Sequence, residues 1–350
     1  MKRQILNIFN KVGQIMAPIA MSIVIAITCN ACGVLSNLDL VFLAAVPKSK
    51  DVKVDVPMAN TNQANALIGA PADAYKQASE NADNINPGVA SVLDFVDSFA
   101  RSYPPTKRTN NSRIWGPIKN IDNKGITVRF KINRSEQADG TMRYTYCLHA
   151  GRDEEVTDEQ PTCEQTFAGG MYAILYGSYV PTPGSTSART GVGDFVLDLE
   201  TSYTIGLGDP ADRGVLNISY NIDDSLDTKT IDLEVNKPAI DDHVAIEATY
   251  HYDRNENGRV AMYINVKDDF EKTTSAIENL ILDTCWYKDG IGRGETTFIG
   301  GDFTALGPIT AIECWNVAHM RTFYQIELAQ WPAGNSQEGD ASYCPEIDCP

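Results

Sequence analysis

Catalytic signatures are what this chain has least of. Its four histidines, His149, His243, His251 and His319, are scattered, and no HExxH spacing occurs. A helix-borne zinc pair therefore has no footing. There is no GxSxG, and Ser178 in LYGSYVP lacks the strand-to-helix elbow that exposes a nucleophile. GIGRG lies between strand-like segments and reads as a turn rather than a phosphate cradle. Basic residues are also scarce: 29 Lys and Arg stand against 46 Asp and Glu, a formal net charge of −17. Such a surface repels phosphate backbones, so nucleic acid is not an expected partner. No cofactor is implied. Carboxylates are abundant, and a hydrolase using an unidentified pair of them is kept as an alternative.

Acidic residues are absent before Asp39, and that absence frames the N-terminus. Lys2, Arg3 and Lys11 precede an apolar run from Val12 to Thr28. A basic start, an apolar stretch and small residues before a cut describe a secretory signal. Asn30-Ala31-Cys32-Gly33 adds a cysteine behind a small residue, so residues 1–31 are expected to be a lipoprotein-type signal and Cys32 the lipidation site. Cys29 stands where Leu is usual. Cleavage without lipid, or an uncleaved anchor, are the alternatives, since the run nearly reaches the roughly 20 residues of a membrane span. Two or more acyl chains would hold the mature chain on a membrane. Loss of the signal removes three basic and no acidic residues, taking the balance to 26 against 46, or −20. The expected location is the bacterial cell envelope, outer-membrane-anchored.

Outside that region stand Cys147, Cys163, Cys285, Cys314, Cys344 and Cys349, with no CxxC pair among them. An even count in an exported chain favours disulfides over zinc. Spacing suggests 147 with 163, 285 with 314 and 344 with 349; the second loop would contribute roughly 3–4 kcal/mol.

Residues 32–85 read as a tether, with one short helix near Ala72 to Ala82. A helix follows over 86–105, with Asn86 as N-cap, Pro87 at the first turn and Pro104-Pro105 as its stop. Val89, Val92, Leu93, Val96 and Phe99 recur at three- and four-residue steps, giving it one apolar face. From Ile126 the period becomes two, as in ITVRFKI, MRYTYCLHA, DFVLDLE, VLNISYN, TIDLEV, VAIEATYHY and VAMYINV. LILDTCWY, AIECWN and TFYQIEL extend the pattern less cleanly. The expected fold is all-β: an antiparallel meander of about ten strands over 106–331, forming a barrel or curved sandwich. Residues 332–350 read as a Cys-containing tail. A membrane barrel also alternates, but these strands are short for a span and the C-terminus is not strand-like.

DRNENG, from Asp253, resembles the start of a calcium loop, with Asp253, Asn255 and Asn257 as weak metal candidates. The twelfth position is Ile264 rather than Glu, and Asn257-Gly258 is itself a hairpin signal, so a turn is the preferred reading. Trp286 in DTCWYK and Trp315 in IECWN read as packing against disulfides, with an aromatic ligand surface as the alternative. His149 and His251 fall on polar strand faces, where exposure is the default.

The segments NPGVASVLDFVDSFARSYPPT, RIWGP, GVGDFVLDLE, RGVLNISY, GIGRGETTFIGGDF and IECWN, over roughly 86–328, resemble uncharacterised predicted lipoproteins of myxobacteria and related envelope-rich bacteria. The resemblance implies an envelope lipoprotein and carries no activity, substrate or catalytic residues. The expected role is binding or scaffolding at the membrane surface, with a small apolar ligand or an envelope protein as partner. A purely structural component is the alternative.

Overall fold

Period-two patterning becomes antiparallel strand over most of its length, and there is more strand than the alternation advertised. The computed structural model describes residues 35–57, 70–119, 121, 125–185, 189–208, 210, 213–239, 244–270, 274 and 276–345. Cys32, His243 and Cys349 lie outside them. Sixteen strands are formed among the described residues, against about ten expected. The chain divides into two compact units.

The first unit holds 35–53 and Asn86–Ser225. Its strands are β1 (Lys107–Arg108), β2 (Ser112–Ile118), β3 (Ile126–Glu136), β4 (Met142–Arg152), β5 (Phe167–Ala168), β6 (Met171–Pro181), β7 (Gly191–Asp198) and β8 (Val215–Asp223). They pair antiparallel in sequence order, except that β5 pairs only with β6 and lies off the path from β4 to β6. Trp115, Val128, Phe130, Ile132, Tyr146, Leu148, Leu175, Phe195 and Ile218 are buried and form its apolar interior. The last two residues of DFVLDLE leave the strand for a short helix, Leu199–Thr204, which Asp198 caps by accepting from the Thr201 N–H at 2.8 Å.

The second unit holds Val54–Ile85 and Leu226–Pro350. It contains β9 (Thr228–Lys237), β10 (Ile246–Arg254), β11 (Val260–Asp268), β12 (Glu278–Trp286), β13 (Gly292–Gly300), β14 (Ile309–Trp315), β15 (Arg321–Leu328) and β16 (Ser336–Gly339), each paired with its neighbours in sequence. In neither unit does the first strand pair with the last among the described residues.

Helix α1 is Asn37–Leu43; helix α2 is Asp73–Ser102, thirty residues with Pro87 inside it. The expected N-cap at Asn86 is therefore corrected. An interior proline costs about 3 kcal/mol in a helix, but the apolar stripe continues upstream through Ala74, Ala78, Ala82 and Ile85, all buried. In the second unit that upstream part lies on the sheet: the Ala74 N–H donates to Glu313 and the Tyr250 hydroxyl reaches Asn81. Downstream, Val89, Val92, Leu93, Val96 and Phe99 are buried as the spacing predicts. No helix among the described residues is long and apolar enough to cross a membrane.

GIGRG is turn only at its start. Gly292 and Gly294 belong to β13, and side chains there would collide: a Cβ at Gly292 would meet the Trp315 ring at 2.5 Å, and one at Gly294 the Ala74 Cβ at 2.6 Å. Cys147 pairs with Cys163 as spacing suggests, with Cα atoms 5.2 Å apart. The other neighbour pairings are corrected: Cys314 joins Cys344, and Cys285 is bonded elsewhere. Antiparallel β16 brings the tail back alongside β15, so residues thirty apart in sequence meet.

Candidate functional site

One concavity in the first unit is built beside α1. Ser36 accepts from the Asp39 N–H at 3.2 Å and Asp39 accepts from the Ser36 N–H at 2.9 Å, a reciprocal cap on the helix start. Asp39 is fully buried. It receives Arg113 Nε at 2.5 Å and Arg108 Nε at 3.2 Å. Burial alone would raise its pKa, but the Ser36 and arginine hydrogen bonds outweigh this and hold the carboxyl below its ordinary range. Two guanidinium groups lie over the Phe42 ring, Arg113 at 4.5 Å and Arg134 at 5.3 Å from its centre, and Phe42 meets Tyr144 edge-on at 5.9 Å.

Fixing α1 this way leaves a cavity of about 340 Å³ beside it. Leu40, Leu43, Ala44 and Val46 supply an apolar wall; Lys48, Arg101 and Arg189 bring three cations against one carboxylate, Asp51. Asp51 accepts from the Lys48 N–H at 2.9 Å and from Arg189 at 3.4 Å, while Arg101 bonds Asp97 at 2.8 Å on its own helix. Leu38, Leu40 and Val41 remain between 41% and 47% exposed, which gives the apolar wall an accessible outer margin. In the second unit a smaller groove of about 180 Å³ runs over β9–β11, lined by Glu234, Glu247, Asn265 and Lys267 among others.

Among the described residues, those singled out from sequence do not converge on one site. Trp286 and Trp315 are 0% and 1% exposed and meet edge-on at 6.4 Å. Trp315 Nε1 donates to the Gly290 carbonyl. The aromatic ligand surface is thus replaced by packed core. Asp253 accepts from Thr230 at 3.1 Å, and the Asn255 side-chain oxygen accepts the N–H groups of Asn257 and Arg259. Asn255 therefore spends its oxygen on the turn. Gly258 holds φ +72 there. Gly258→Ala should cost about 1 kcal/mol, read as a lowered urea midpoint.

His149 corrects the exposed expectation: it is 1% exposed, and its Nε2 donates to the Gln165 carbonyl at 2.9 Å. His251 is half-buried, 2.6 Å from Asp232. What sequence reading missed most is the α1 cap, although Ser36-x-x-Asp39 before an apolar run is a recognisable helix-start signal.

Compared with known proteins, the chain matches no family model, no curated protein and no solved structure.

Proposed function

We propose that the chain is an exported envelope lipoprotein, acylated at Cys32, that binds a small amphipathic anion at the membrane surface. The cavity beside α1 carries this reading. An apolar wall with cations at its edge suits an acyl chain ending in an acidic group, and its volume falls in the range of small-ligand sites. In an acidic chain, a locally cationic rim sets this cavity apart from the general surface. Helix α1 begins five residues after Cys32, so an anchor there would keep the start of α1 within about 18 Å of the attachment point and the cavity beside it near the membrane. The resemblance to uncharacterised predicted lipoproteins of myxobacteria agrees with this address and adds no activity. Of the two architectures expected, we favour an open curved sandwich in each unit over a barrel.

Two measurements test the proposal. Cys32→Ala is expected to release the protein from membranes and abolish an acyl mass increment on the mature chain. Retention on membranes, with no acyl mass on the wild type, would refute the anchor. For the cavity, laurate should displace a fluorescent acyl probe saturably, Lys48→Glu should weaken it about tenfold, or roughly 1.4 kcal/mol, and Leu40→Trp should block it. Absence of saturable binding would leave the purely structural reading as the better account.

A further inference from the structure

A second basic site lies on the other face of the first unit's sheet, away from the buried apolar interior. Arg129 on β3 and His149 on β4 are direct cross-strand partners. By alternation both belong on the solvent side, yet they are 3% and 1% exposed. The segment following β4 roofs them, and the Cys147–Cys163 bridge straps that roof to β4. What the roof offers is backbone oxygen: the Glu159 carbonyl accepts from Arg129 Nη1 at 3.2 Å, and the Gln165 carbonyl from His149. Its carboxylates Glu154, Glu155, Asp158 and Glu159 face solvent.

Among the described residues Arg129 therefore has no ion pair, and its Nε has no hydrogen-bond acceptor. Burial pushes its pKa down with no opposing carboxylate to restore it. Lys131, two residues along the same face, is half-buried; burial lowers its pKa too, opposed by Glu164. Taking a guanidinium out of water without a counter-charge is strongly unfavourable. Planar donors in that position match a carboxylate or phosphate.

We infer that Arg129, with Lys131 beside it, receives an oxyanion, the carboxylate or phosphate group of an external ligand, under the disulfide-strapped roof. The site is independent of the cavity beside α1 and of the lipid anchor.

The test is thermal unfolding of the full mature chain at constant ionic strength, with sodium chloride replaced stepwise by sodium phosphate or, separately, sodium acetate. The wild type should show a saturable rise in midpoint with at least one of them; phosphate alone or acetate alone would identify the group. Lys131→Gln should weaken the apparent affinity about tenfold. Arg129→Gln should abolish saturation while unfolding no earlier than wild type in chloride, because it removes an uncompensated charge. If Arg129→Gln does not fold, the Lys131→Gln comparison decides. Equal or non-saturating responses in wild type and Lys131→Gln overturn the site.

Discussion

Asp39→Ala is expected to destabilise the first unit by about 3–5 kcal/mol, read from guanidinium unfolding followed by near-UV circular dichroism. The effect is large because the carboxylate holds three things at once. It closes the cap on α1, neutralises Arg113, whose side chain is 3% exposed, and receives the more accessible Arg108. Alanine would leave Arg113 buried with only the Thr109 and Ser112 carbonyls to donate to, and its guanidinium still over Phe42. The same reasoning gives a control: Asp39→Leu combined with Arg113→Met should recover most of the loss, since removing both charges removes the desolvation penalty with the attraction. A double variant no better than the single one would show that the α1 cap, not the ion pair, dominates. The pH dependence has a definite sign. A carboxyl whose folded pKa is depressed stabilises above its unfolded value and stops doing so as pH falls through the folded one. The Asp39 contribution should thus be whole at pH 7 and disappear below its ordinary 3.8. Because α1 forms the apolar wall of the cavity, Asp39→Ala should also abolish binding of the acyl probe.

The strands were legible where one face is buried and the other wet, as in β8 and β9, whose burial alternates residue by residue. They were illegible where that condition fails. β6, MYAILYGSYVP, buries Ala173, Ile174 and Leu175 in succession, so no period shows. β13 spends two positions on glycine to admit Trp315 and Ala74, and glycine in a sequence signals a turn. At Asn86-Pro87 a strong local helix-start signal competed with an apolar stripe running through it, and the longer-range stripe prevailed. The candidate sites were hidden for a related reason. Arg129 and His149 sit where alternation places solvent, and only the strap from Cys147 to Cys163 buries them. No period along one strand encodes a cover that returns from elsewhere in the chain.

Glu313→Gln should make the second unit more stable than wild type at pH 8 by about 3 kcal/mol, with the difference vanishing towards pH 4. Glu313 is buried on β14 and its Oε2 accepts the Ala74 N–H at 2.6 Å; Arg321 lies 2.7 Å from its Oε1 and 2.7 Å from Asp73. Burial raises its pKa to about 7, a rise that the Arg321 charge only partly opposes and the Asp73 carboxylate reinforces. The folded state then holds a proton between 4.5 and about 7 that the unfolded chain has released, so stability falls as pH rises across that window. Glutamine mimics the protonated form and escapes the fall. His319 supplies the opposite slope nearby. It stacks on Tyr75 at 3.7 Å, neither ring nitrogen has a partner, and burial drives its pKa down to about 4. Its stabilising contribution is complete above 6.5 and is lost as pH falls to about 4. In the wild type the two slopes nearly cancel between 4.5 and 6.5, and Glu313→Gln should uncover the histidine's as a rise of about 1.4 kcal/mol per pH unit. A variant weaker than wild type at pH 8 would mean that Glu313 is ionised against Arg321, and that the contact between β14 and the start of α2 is an ion pair rather than a protonated cap.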